Sequence, residues 1–292
     1  MKKILITGGA GFIGAHLVRA CREGGFEVHA PSRTELNLAD AQSIDEYVEK
    51  VKPSIVFHLA TSSLMSGKTE GLETLLKTNV EGTIRLMDAA ERCGVGAFIN
   101  MGSFVEYGPK QHPLREDMLC EPVEMYALSK LAATLYGQGL AKRSGFPCVT
   151  FRLFTPYGPG IQPGRLIRTM IEKILTGDSV PLSDADVARD FIYVHDIIPL
   201  LLEAMDKAAQ NKGKIFNLGS GNRTTIAELV SVAEEETGKK AEAHWGAFPT
   251  QSYDSKLWQA DMTKTFGAFE WRPRTALAEG IRSTAAWLGS NA

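Results

Sequence analysis

The segment Gly8-Gly9-Ala10-Gly11-Phe12-Ile13-Gly14 constrains this chain more than any other. It follows the apolar run Ile4-Leu5-Ile6, which reads as a buried strand, and it precedes residues 15–21, which read as a helix. A strand, a glycine-rich turn and a helix form a phosphate cradle. In such a cradle Gly8 permits the tight turn, Gly11 lets the backbone approach a pyrophosphate, and Gly14 lets the helix pack on the sheet. The positive end of the helix then meets the negative charge. A glycine-rich turn without a ligand is the plainer alternative. The position of this one, at the first strand-to-helix junction, argues against it.

Downstream the pattern repeats. Short apolar runs at 3–7, 27–30, 55–59, 97–101 and 148–153 read as strands, and amphipathic stretches at 14–23, 41–50, 70–93 and 126–144 read as helices. Such alternation predicts a parallel sheet covered by helices on both faces. After Arg152 the pattern loosens through a stretch crowded with Pro156, Gly158, Pro159, Gly160, Pro163 and Gly164. Helices are expected at 165–176, 196–207, 226–237 and 275–288, and strands at 190–194 and 214–218. The reading is a first domain at 1–155 and a smaller lobe at 156–292, with segments near 188–218 returning to the first domain. A cleft between lobes is the usual place for a substrate.

The 292 residues suffice for one large domain or one and a half, with an ample core. A net charge of −2 gives no field that favours nucleic acid or an anionic membrane. Cys21, Cys93, Cys120 and Cys148 lie far apart without a CxxC pair, which fits a reducing cytoplasm better than a disulfide frame or a zinc site. The six histidines form no metal-ligand pattern. Lys2 and Lys3 are followed by too short an apolar run for a signal peptide, and no stretch is apolar enough to span a bilayer. The expectation is a cytoplasmic protein with no metal.

Tyr126-Ala127-Leu128-Ser129-Lys130 places a phenol and an ammonium four residues apart, on one face of a predicted helix. The ammonium favours the phenolate and lowers the phenol pKa from about 10, so Tyr126 becomes able to give or take a proton near neutrality. Ser103 follows the strand at 97–101. There, at the C-terminal end of a parallel strand, its hydroxyl is placed to bond a substrate oxygen.

These motifs resemble an extended short-chain dehydrogenase/reductase of the NAD-dependent epimerase/dehydratase type, whose members act mostly on nucleotide sugars. The resemblance runs through Thr7-Gly8-x-x-Gly11-Phe12-x-Gly14, His58-Leu59-Ala60, Asn79-Val80-x-Gly82-Thr83, Ser103-x-x-x-Tyr107-Gly108 and Tyr126-x-x-x-Lys130. It continues through Arg152-Leu153-Phe154, Tyr157-Gly158-Pro159-Gly160, Arg189–Asp196, Asn217–Gly221 and Trp271-Arg272-Pro273. It implies an α/β fold, a Rossmann-type doubly wound parallel sheet with a smaller C-terminal substrate-binding lobe. It also implies Tyr126 as proton donor or acceptor, Lys130 on the nicotinamide ribose, and Ser103 on the reacting oxygen. Gly8, Gly11, Phe12, Ile13, Gly14, Leu59, Ala60, Asn79 and Phe154 would line the dinucleotide, and Phe104, Thr155 and Arg189 the nucleotide sugar. A homodimer through the two long helices is implied as well.

Three departures narrow the reaction. Members that dehydrate sugars carry an Asp-Glu pair directly after the catalytic Ser/Thr; Phe104 and Val105 stand there, and Glu106 follows at a different spacing. At the end of the second strand, Ala30-Pro31-Ser32-Arg33-Thr34 has no acid to hold a ribose 2′-hydroxyl. Ser32 and Arg33 suit a 2′-phosphate instead, with Asp40 near the adenine, as in NADPH-dependent deoxysugar reductases. Thr155 replaces the family's asparagine, and the Pro-x-Arg segment is unclear near Pro249-Thr250-Gln251. The leading expectation is therefore an NADPH-dependent reductase of an NDP-4-keto-6-deoxyhexose. The alternative is an NDP-hexose 4-epimerase that keeps NAD(H), and a third reading is a non-catalytic dinucleotide sensor. Base, sugar and product stereochemistry stay open.

Overall fold

Runs rich in Ile, Val and Phe become strands when helices cover both faces of the sheet they form. In the computed structural model, which describes residues 2–62, 71–248 and 257–290, the first elements are β1 (Lys3–Thr7), α1 (Phe12–Glu23), β2 (Glu27–His29), α2 (Ala41–Val51), β3 (Ile55–His58), α3 (Leu72–Leu76), α4 (Gly82–Arg92), β4 (Ala97–Ser103), α5 (Met125–Ser144) and β5 (Cys148–Leu153). They are followed by β6 (Thr155–Tyr157), α6 (Leu166–Thr176), β7 (Ser179–Pro181), β8 (Ala188–Arg189), β9 (Phe191–Tyr193), α7 (Val194–Lys207), β10 (Ile215–Leu218), β11 (Thr224–Thr225), α8 (Ile226–Thr237), β12 (Glu242–His244), α9 (Thr263–Ala268) and α10 (Leu277–Ser290).

The main sheet has the order β10-β5-β4-β3-β1-β2. The pairings of β1 with β2 and β3, of β3 with β4, and of β4 with β5 are parallel, and Ile4 lies between Val28 and Ile55. The chain steps from β1 out to β2 and then crosses to β3 on the other flank. The winding reverses between β1 and β3, and an open α/β sheet binds ligands beyond the carboxyl ends of the strands at such a point. Leu5, Val56 and Phe98 of the sheet pack with Ile44, Leu86 and Leu140 of the helices. The α/β, doubly wound expectation holds.

Local chemistry sets most element ends. The Asp40 carboxylate caps α2 by accepting from Gln42 N at 2.9 Å and Ser43 N at 3.4 Å. Gly145, in the left-handed region at φ 77°, stops α5. β4 runs on to Ser103 because Gly102 and Ser103 still pair with Arg152 and Leu153.

The expected single helix at 70–93 is interrupted. Glu70 lies outside the described residues; beyond α3, the segment Lys77–Glu81 forms a π-helical turn before α4 begins. Asn79 is buried in that turn, where its Oδ1 accepts from Ser62 N at 2.8 Å and its Nδ2 donates to Ser62 O at 2.9 Å. These two bonds to one backbone residue hold the widened turn, a device common near functional sites. Apolar periodicity does not reveal such a one-residue slip.

The chain divides into two compact units. The first comprises Met1–Gly108, Leu119–Leu153 and Ile198–Phe216, the second Pro109–Met118, Phe154–Ile197 and Asn217–Ala292. Residues 109–118 therefore group with the second unit, not with the first as expected. Among the described residues, the second unit holds two-stranded pairs β6 with β9 and β7 with β12, both parallel, and β8 with β11, antiparallel. Thr225 and Glu228 form a capping box that starts α8.

Candidate active site

The turn after β1 has the shape its sequence requires. Gly8 lies at φ +72°, and Gly11 N donates to Gly8 O at 2.9 Å. A Cβ on Gly8 would stand 2.7 Å from Ala60 N, and one on Gly14 would stand 2.1 Å from Gly8 O. Gly14 thus lets α1 lie close against the backbone of the turn that follows β1. Leu59 N donates to Thr7 O at 3.1 Å and Ala60 N to Thr7 Oγ1 at 3.3 Å, which seats the segment after β3 against the turn. No side chain caps the first turn of α1, and Phe12 and Ile13 are half-buried there. Backbone N–H groups at a helix start, beside glycines that admit close approach, fit the pyrophosphate of a dinucleotide.

The loop after β2 departs from expectation. The Glu35 carboxylate accepts from Ser32 N at 2.8 Å and from Ser32 Oγ at 2.8 Å, and the Ser32 hydroxyl also meets Thr34 Oγ1 at 2.9 Å. These bonds hold the Glu35 carboxyl below the usual carboxylate range. The loop therefore has an acid, brought back from beyond the residues where one was sought, and the Ser32 hydroxyl is engaged by that anion. Arg33 is exposed, and Asp40 is occupied as the cap of α2.

Ser103, Tyr126 and Lys130 all lie in the first unit. Ser103 ends β4 and is buried; Tyr126, at the start of α5, is half-buried; Lys130, one turn on, is buried. Helix α5 packs against β4, against the π-helical turn, and against the one-turn 3-10 segment Phe104–Tyr107. Asn79 Nδ2 donates to Ser129 Oγ at 3.1 Å, and Ser129 Oγ donates to Tyr126 O at 2.7 Å. The π-helical turn is thereby tied to the backbone that carries Tyr126. Burial pulls the Lys130 ammonium down to about 8, against the pull of Glu106 upward. An amine poised there is protonated near neutrality and answers to small changes in nearby charge.

His58 is placed as structure. Its Nδ1 meets Thr7 Oγ1 at 2.7 Å and its Nε2 meets Thr83 Oγ1 at 2.8 Å. Burial, with Lys130 adding to it, drives His58 down to about 3, so the ring is neutral at any working pH. Glu106 and Arg152 form a pair that sequence reasoning missed. Both are fully buried, and Arg152 Nε donates to Glu106 Oε2 at 2.9 Å. Arg152 Nη2 reaches Cys120 Sγ at 3.0 Å, and its Cζ lies 4.3 Å over the Tyr107 ring. The signal was present as Ser103-x-x-Glu106, the spacing of a capping box. Turned inward onto Arg152, Glu106 is not set to do the acid–base work of a sugar dehydratase.

Phe154, Thr155 and Arg189 belong to the second unit. Phe154 N donates to Leu218 O at 2.9 Å and Thr155 N to Asp190 O at 3.0 Å. Arg189, on β8, bonds Ala188 O at 3.0 Å. The buried Asp190 carboxylate gathers Ser220 N, Ser220 Oγ, Gly221 N and Ala260 N, which fixes the backbone around Arg189. Pro249-Thr250-Gln251 lies outside the described residues.

Residues 4–219 match the model of the NAD dependent epimerase/dehydratase family. The chain belongs to this family. A UDP-glucose 4-epimerase of Mycolicibacterium smegmatis is 28% identical over 97% of this chain and 97% of its own length. A solved UDP-glucose 4-epimerase from Thermotoga maritima, with UDP-glucose, is 27% identical and superposes with a TM-score of 0.90 over 99% of each chain. MoeE5 in complex with UDP-glucose and NAD is 28% identical, with a TM-score of 0.87 over 99% of each chain. Among the described residues of this family member, no helix is long and apolar enough to cross a membrane, and no group of His, Cys, Asp and Glu could hold a metal ion.

Proposed function

We propose that this protein is a 4-epimerase of a UDP-sugar that retains NAD between turnovers. Similarity to 4-epimerases over nearly the full length of both chains carries this reading. The Glu35–Ser32 contact supports its cofactor half. A carboxylate in that loop suits a ribose 2′-hydroxyl and opposes a 2′-phosphate. The expectation of an NADPH-dependent ketoreductase drew on the missing Asp-Glu pair after Ser103 and on Ser32, Arg33 and the stretch to Asp40; similarity to the 4-epimerases supports the epimerase alternative better.

When bound, NAD would supply a reversible hydride acceptor for the sugar C4. The chain's own residues handle the proton and the geometry. The Tyr126 phenolic oxygen takes the proton of the C4 hydroxyl and gives it back. Lys130 supplies the positive charge that favours this exchange, and the Ser103 hydroxyl donates to the C4 oxygen. In this reading Gly8, Gly11 and Gly14 seat the pyrophosphate, and Thr155 and Arg189 contact the sugar nucleotide. A guanidinium fork matches phosphate oxygens.

Protein purified without added nucleotide is expected to release near-stoichiometric NAD(H) on heating. Glu35→Ala should lower the ratio of NADP to NAD dissociation constants about fivefold, the worth of an exposed charge contact. Mainly NADP(H) in the released fraction would overturn the cofactor assignment.

The proposal includes a homodimer. Met125, Leu128 and Leu135 of α5 and Leu72 of α3 are exposed apolar side chains, and helices α3 and α5 pack together within the first unit. Pairing this face with its copy would remove it from water. Light scattering should give twice the 31.8 kDa chain mass; a single-chain mass across the working concentration range would remove the dimer.

A further inference from the structure

Glu106 is a fully buried carboxylate with no place in the proton exchange just described. It sits on the one-turn segment Phe104–Tyr107 and turns back on Ser103. Its Oε1 accepts from Ser103 N at 2.8 Å, and its Oε2 accepts from Arg152 Nε at 2.9 Å. Gly102 makes room for it, since a Cβ there would stand 2.5 Å from Glu106 Oε1. The Ser103 side chain in turn faces the Glu106 backbone N–H, which completes a capping box. A serine hydroxyl carries a single proton, and one turned by a fixed backbone toward an N–H, which cannot accept it, has that proton for another acceptor.

We infer that Glu106, clamped by Arg152, is a positioning residue for Ser103: it fixes the end of β4 and leaves the Ser103 hydroxyl proton free to donate to the reacting oxygen. The inference deepens the epimerase reading and rests on it. The same carboxylate has a second consequence. Among the described residues, Glu106 from the turn after β4 and His58 from β3 act electrostatically with Lys130, and Tyr126 lies one turn away on the same helix. Arg152 on β5 faces Glu106. With His58 neutral, Glu106 is the group that draws the Lys130 ammonium upward against burial.

The test is a double-mutant cycle with a pH profile. Glu106→Leu with Arg152→Leu removes both charges together, the change that a buried ion pair tolerates best. In the wild-type background Ser103→Ala should lower kcat about 10²-fold, as loss of a donor at a reacting oxygen does. The paired Leu variant should itself lose about 10- to 100-fold in kcat from misplaced geometry. In that background Ser103→Ala should cost less than about threefold more, because the two changes act through one group. Activity that needs protonated Lys130 is lost as pH rises through its pKa, so the alkaline limb should move to lower pH in the variant.

Should the paired variant fail to fold, Gly102→Ala, which drives a methyl into Glu106 Oε1, should show the same non-additivity with Ser103→Ala. An equal cost of Ser103→Ala in every background, with an unmoved alkaline limb, would overturn the inference. Carbon NMR of Lys130 Cε needs no substrate. Its titration should fall below the wild-type midpoint in the paired variant, even if no UDP-sugar is turned over and the epimerase reading fails. An unchanged midpoint counts against Glu106.

Discussion

Tyr126→Phe is expected to lower kcat about 10²- to 10⁴-fold, the range for removal of a positioned proton donor, with NAD content and fold unchanged. The substitution keeps the ring in its half-buried place at the start of α5 and deletes only the oxygen. None of the neighbouring groups His58, Glu106 and Lys130 is a ready substitute for that oxygen. His58 is neutral and held between Thr7 and Thr83. Glu106 is buried against Arg152, and Lys130 is one helical turn deeper than Tyr126. The loss should appear in kcat with little change in KM, because proton transfer is made only in the transition state. Steady-state kinetics on the holoenzyme, with its NAD content quantified, checks this. A Tyr126→Phe variant within about threefold of wild type would remove Tyr126 from the proton path.

Arg152→Met is expected to destabilise the fold by about 3–5 kcal/mol, because it leaves the Glu106 carboxylate buried without its counter-charge. Arg152 is only 2% exposed. Burial pulls its guanidinium down, and Glu106, Tyr107 and Cys120 more than offset that, so it stays firmly charged. A methionine fills much of its volume but donates nothing to Glu106 Oε2. Replacing both partners with leucine should cost far less than removing Arg152 alone. Urea unfolding of the two variants separates the cases. A loss below about 1 kcal/mol in Arg152→Met would show the pair to be energetically idle.

What the sequence made legible is what depends on neighbouring residues. β1 and β5 begin and end where their apolar runs do, and the Gly8–Gly14 turn is local geometry written in glycines. Tyr126 and Lys130 are related by helical spacing alone. The missing parts depend on the chain folding back. Glu35 returns to Ser32 across a loop, so a carboxylate three residues further on lies against a serine that looked open. The π-helical turn at Asn79 answers to Ser62, which is distant in sequence. Arg152 reads as one more residue of a buried strand until β5 lies beside β4 and Glu106. The grouping of 109–118 with the second unit follows from long-range pairing such as Leu114 N to Gln259 O at 2.8 Å. No periodicity within 109–118 encodes that partner.

The most direct test of the account is proton NMR of UDP-glucose incubated with the purified protein, with no nicotinamide nucleotide added. The account predicts that signals of the C4 epimer grow to an equilibrium mixture while the nicotinamide absorbance shows no net change, because each hydride removed is returned. The contradicting result is no interconversion of UDP-glucose or UDP-glucuronate, together with stoichiometric oxidation of added NADPH by a 4-keto-6-deoxy sugar nucleotide.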